Sequence, residues 1–120
     1  MNKHQDLKER FYEFALAIVK LVRSLPRETA GIEIGRQVLK SGTSVAAHYE
    51  EAASGFSKAD FIYKVSVSFK EAKESNLWLR LLKDSGLARE SQVSFLIQES
   101  FEIASILAKS LKTAKANSRD

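Results

Sequence analysis

His48, Glu50 and Glu51 stand together in one helical segment and Glu71 and Glu74 in another, the residue types from which a four-helix bundle builds a carboxylate metal centre. Such centres take a Glu-x-x-His pair from each of two helices. This sequence contains no such pair, and its only other histidine is His4. His48 is expected about eight residues, ~12 Å by helix rise, from the level of Glu71. A shared metal or other cofactor is therefore not expected. Ser44 and Ser57 are no better placed as nucleophiles, because no His and carboxylate are arranged to activate them, and packing or capping explains both. Cysteine is absent, which removes disulfides, thiolate metal sites and a Cys nucleophile. No Gly-rich phosphate loop is present either. The sequence reads as that of a non-enzymatic protein.

Glu71 and Glu74 have a second reading. If the segments around them form an antiparallel helical hairpin turning near Gly55 and Phe56, Lys40 faces Glu71, and Arg36 or Gln37 faces Glu74. These five residues are then expected to form a partly buried polar network between helices 2 and 3, in which removing one member strands a charge.

Nucleic acid is the remaining chemistry. The net charge is +4 and the isoelectric point about 9.4. Candidate phosphate contacts are Lys20, Arg23, Lys64, Lys70, Lys73, Arg80, Lys109, Lys112 and Lys115, with Arg119 in the tail. Each taken singly also fits a solvated surface, and the tail cations also fit the partial negative charge of a helix C-terminus. Repetition in an oligomer changes the case, because several copies of a weak patch act together. Contacts to the backbone of RNA or DNA, reading shape rather than sequence, are expected.

These side chains require a helical framework. The chain has 120 residues, 44% hydrophobic and 28% charged with one proline, which suits one globular domain with one core. No run approaches the ~18 apolar residues of a membrane span, so a cytoplasmic protein without membrane contact is expected. Apolar residues three and four apart predict helix 1 over 6–25, ended by Pro26. Helix 2 is expected over 30–53, capped by Thr29 or a neighbour, with Gly35 and Gly42 nearly on one face to let another helix approach. Helix 3 is expected over 58–84, capped by Ser57, and helix 4 over 89–114, with fraying after Lys115. Short links between four helices give an all-α, up-down-up-down antiparallel bundle. Helix 3 carries a second apolar stripe, Tyr63, Val67, Leu77, Trp78 and Leu81, opposite its core seam. That stripe is expected to meet another subunit, making a homo-oligomer, with packing of Tyr63 and Trp78 under helix 1 or 4 of their own chain as the alternative.

The order of words from Arg36 to Leu87 is specific. It includes Arg36-Gln37-Val38-Leu39-Lys40-Ser41-Gly42-Thr43-Ser44-Val45, Ser57-Lys58-Ala59-Asp60-Phe61, Glu71-Ala72-Lys73-Glu74 and Trp78-Leu79-Arg80-Leu81-Leu82-Lys83-Asp84-Ser85-Gly86-Leu87. The chain thereby resembles the bacterial four-helix-bundle family of 23S rRNA intervening-sequence, or S23-type, proteins, to which diversity-generating retroelement accessory proteins are related. The resemblance implies a homopentamer with no established catalysis and an association with nucleic acid, with a reverse transcriptase or a ribosomal component as partner. It also allows Glu71 and Glu74 to belong to a polar site in the family's groove. Two positions depart from the family pattern: His48 replaces an Asn and Glu50 an Arg, which weakens phosphate binding at this end of helix 2. The expected function is a homo-oligomeric, pentameric, nucleic-acid-associated protein, with a protein-interaction scaffold as the alternative.

Overall fold

In the computed structural model, which describes residues 3–117, the chain forms four helices in sequence: α1 (Lys3–Arg23), α2 (Thr29–Ala53), α3 (Lys58–Asp84) and α4 (Glu90–Asn117). They pack as an antiparallel all-α bundle of extents 51 × 24 × 20 Å. Apolar residues three and four apart along the helices form the core. Phe11, Phe14, Ile18 and Leu21 of α1 meet Val38, Val45 and Tyr49 of α2, Val65, Leu79 and Leu82 of α3, and Val93, Leu96, Ile103 and Leu107 of α4. Phe11 and Tyr49 contact edge to face, ring centroids 4.9 Å apart.

The ends of the helices follow local chemistry. Pro26 disfavours helical geometry at the residue before it, and α1 accordingly stops at Arg23, two residues earlier than expected, with Ser24 and Leu25 bonding back to Leu21 and Val22. Thr29 is not the N-cap of α2. Glu28 holds that place in an extended conformation and makes no side-chain cap bond, so Thr29 is the first helical residue. Ser57 caps α3 as expected, its hydroxyl accepting from the Asp60 amide at 3.0 Å. Gly55 and Gly86 follow α2 and α3 with φ of +64° and +79°, a left-handed conformation in which a Cβ is strained. At the start of α4, the Gln92 side chain accepts from the Arg89 amide. α4 continues past Lys115 to Asn117, and the rest of the tail expected to fray, Arg119 included, lies outside the described residues.

The glycines of α2 do what their spacing suggested. A Cβ at Gly42 would stand 2.9 Å from Ile18 Cγ1 and one at Gly35 3.2 Å from Leu25 Cδ1, so α1 lies directly on this face. Ile18 is fully buried and β-branched and has little room to yield. Gly42→Ala is therefore expected to destabilise the fold by about 1–3 kcal/mol, against the roughly 1 kcal/mol gain of helix propensity an alanine ordinarily brings. Gly35→Ala, opposed only by the tip of a leucine, is expected to be close to neutral. Denaturant melts of the two variants check this, and a stabilised Gly42→Ala would refute the close-approach role.

Helices α2 and α3 share a seam of small residues. Ser75 Oγ lies 2.8 Å from Ser41 Oγ, and the Ser68 hydroxyl donates to the Val45 carbonyl at 2.8 Å, with Ala72 between them on α3. Hydroxyls that bond across or back onto the backbone leave no buried donor unpaired, which keeps such a polar seam inexpensive. These contacts set the register. Ser41 meets Ser75, Val45 meets Ser68 and Glu51 meets Lys64, so each partner lies two to five positions farther along α3 than a direct hairpin places it. The link Ser54–Ser57 thus continues along the bundle axis before α3 turns back.

Candidate nucleic-acid interface

That register decides the fate of the expected polar network. Lys40 and Arg36 point to solvent, while Gln37, Glu71 and Glu74 are half-buried. No ion pair among the described residues joins Arg36 or Lys40 to Glu71 or Glu74. Glu74 instead accepts from Trp78 Nε1 at 3.3 Å along its own helix. The level expected to be occupied by charges is held by Ser41 and Ser75, because serine allows the two backbones to approach and satisfies its hydroxyl locally. His48 is likewise engaged within α2, its Nδ1 2.8 Å from Ser44 Oγ. Among the described residues, no group of three His, Cys, Asp or Glu side chains is placed to hold a metal ion.

The ionic contacts that do form are elsewhere. Arg10 of α1 makes a two-bonded pair with Glu99 of α4, Nε to Oε2 at 2.9 Å and Nη2 to Oε1 at 2.8 Å, and reaches Glu102 at 3.1 Å. Glu99, followed by burial opposing it and by Glu102, leaves the guanidinium held above its ordinary range. Gln98 and then Arg10 hold the Glu102 carboxyl below its own. This clamp ties together α1 and α4, the adjacent helices with the sparsest packing. Periodicity did not reveal it, because Arg10 and Glu99 are far apart in sequence and both border apolar stripes.

The nine candidate cations separate into groups. Lys64 is half-buried, 2.8 Å from Glu51 and 3.9 Å from Asp60, and its charge is already opposed by those carboxylates. Lys20 and Arg23 are exposed at the end of α1, Lys70 lies on the outer face of α3, and Lys109, Lys112 and Lys115 lie on the last turns of α4. Lys73 and Arg80 come together differently. Both line a groove of about 320 Å³ between α3 and α4, with Phe69, Asn76, Phe101, Ala104, Ser105 and Ala108. Lys73 Nζ stands 5.3 Å from the centre of the Phe69 ring. Arg80 Nε donates to Asn76 Oδ1 at 2.9 Å, and Asn76 Nδ2 donates across to the Ile97 carbonyl and Ser100 Oγ, both at 3.1 Å. The guanidinium is thus held at the groove edge through a chain of hydrogen bonds anchored on α4.

Phe101 is 62% exposed on the opposite wall. Among the described residues, no acidic one lines the groove. Two cations with two aromatic rings and no carboxylate suit a phosphate backbone whose bases stack on aromatic faces. The sequence pattern pointed to Lys73 and Arg80 but not to Phe101. Its available signal was an aromatic residue off the core seam of α4, at a position where a bundle gains nothing by burying it.

The second apolar stripe of α3 divides. Trp78 and Val67 are half-buried, Trp78 against the core of its own chain, while Tyr63 is 64% exposed and Leu77 and Leu81 are each 41% exposed.

The bundle and its sequence have relatives. A sequence model of the 23S rRNA-intervening sequence protein family matches residues 3–109. The chain belongs to this family. A crystal structure at 1.70 Å of an S23 ribosomal protein family member from Bacteroides thetaiotaomicron VPI-5482, itself of unknown function, superposes with a TM-score of 0.84 at 35% identity. The match covers 92% of this chain and 99% of that one. No curated protein matches. The four-helix bundle of the intervening-sequence family is thus shared by both chains. No described helix of this one is long and apolar enough to cross a membrane.

Proposed function

We propose that this intervening-sequence family protein is a non-enzymatic, cytoplasmic homo-oligomer, a pentamer, that binds RNA along the α3–α4 groove of each subunit. The observation that carries the reading is the acid-free groove in which Lys73 and Arg80 sit beside Phe69 and Phe101. Single cations on a chain of net charge +4 bind phosphate weakly, and repetition around a ring turns them into one multivalent surface. Assembly is supported by Tyr63, Leu77 and Leu81, exposed on the outer face of α3 where water gains nothing from them. Each such side chain covered by a neighbouring subunit contributes on the order of 1.5–3 kcal/mol.

Titrating the purified protein with a structured ribosomal RNA fragment and with an unrelated duplex, each over a salt series, tests the proposal. Affinity is expected to fall linearly with log salt, at a slope of about 0.7–0.9 per phosphate neutralised. A preference for the ribosomal fragment would define the target class. Absence of binding at low salt would overturn the reading and leave a protein-interaction scaffold in its place.

A further inference from the structure

The end of the bundle where α1 begins and α4 finishes contains a cleft of about 600 Å³, within the ~300–1,000 Å³ range of small-molecule pockets. Leu7, Phe61 and Ile106 are only half-buried, and with buried Tyr49 and Ala114 they give the cleft an apolar floor. Lys58 from the first turn of α3 and Lys109 from α4 stand on its rim with three neutral polar residues, Ser110, Thr113 and Asn117. Among the described residues, no carboxylate lines it and neither Lys58 nor Lys109 is in an ion pair.

An apolar floor with Lys58 and Lys109 as the charged described residues at its edge selects a ligand of matching polarity. We propose that the cleft binds a single-chain anionic amphiphile, a fatty carboxylate or alkyl phosphate, with its chain on Leu7, Phe61 and Ile106 and its head group met by Lys58 and Lys109. A lysine-rich rim rejects a cationic head on the same chain, and the apolar floor leaves a short hydrophilic anion without most of its contacts. This site is separate from the α3–α4 groove, and its occupation does not depend on nucleic-acid binding.

The test is calorimetric titration of the purified protein with laurate and with dodecyl phosphate below their micelle concentrations, beside dodecyltrimethylammonium as a chain-matched cation. Saturable uptake of either anion at one site per chain, with none of the cation, is the expected result. Lys109→Glu is expected to weaken it about tenfold or more, the loss of one charge-assisted hydrogen bond. Lys20→Glu, the same change of net charge on exposed surface of α1 away from the cleft, is expected to leave it unchanged. Both lysines are exposed, so both variants retain the helical fold, which circular dichroism verifies. The proposal is overturned by non-saturable or absent uptake, by equal affinity for the cation, or by equal effects of the two charge reversals.

Discussion

Phe11→Ala is expected to lose about 3–5 kcal/mol of folding stability, a large share of the roughly 5–15 kcal/mol that holds a domain of this kind together. Phe11 is fully buried, and its ring meets Tyr49 edge to face at the junction of α1 and α2. Truncation removes the transfer energy of the ring and leaves a void that the neighbouring helices cannot close, since Ile18, farther along α1, is already pressed against Gly42. The adjacent Tyr12 is 56% exposed, and Tyr12→Ala is expected to stay within about 0.5 kcal/mol of the parent. Urea melts of the two variants separate a specific core from a loosely packed one. Similar losses at both positions would mean that α1 does not turn its Phe11 face to the core.

The second large effect is on function. Reversing both groove cations, Lys73→Glu with Arg80→Glu, is expected to reduce RNA affinity at low salt by at least about a hundredfold and to shallow the salt dependence by roughly 0.7–0.9 for each phosphate no longer neutralised. Phe101→Ala is expected to weaken single-stranded RNA binding by about 1–3 kcal/mol per stacked base while leaving the salt slope unchanged, because stacking releases no counterions. Lys64→Glu is the contrast. Its ammonium already faces Glu51 and Asp60, and reversing it is expected to disturb the α2–α3 turn more than RNA binding. Filter-binding or fluorescence anisotropy over a salt series gives affinity and slope in one experiment. Retention of RNA affinity by the doubly reversed protein would move the interface away from the α3–α4 groove.

Local chemistry, read in order, was enough to determine the helices of this protein. Apolar spacing placed the buried faces, Pro26 set the end of α1, and Ser57, Gly55 and Gly86 marked the turns, because each of these acts within a few residues of itself. The glycines of α2 also announced a close neighbour, and Ile18 is that neighbour for Gly42. The pairing of helices was decided by tertiary structure alone. A shift of two to five residues in register along α3 replaced the expected Lys40–Glu71 contact with Ser41 against Ser75, because small side chains fix how two backbones nest while long charged ones can turn to water. The same dependence on register hid the Arg10 clamp, the groove between Lys73 and Phe101, and the cleft lined by Leu7, Phe61 and Ile106. Each brings together residues from different helices, and their meeting depends on how far one helix slides past another, a quantity set by the summed packing of the whole bundle rather than by any one segment.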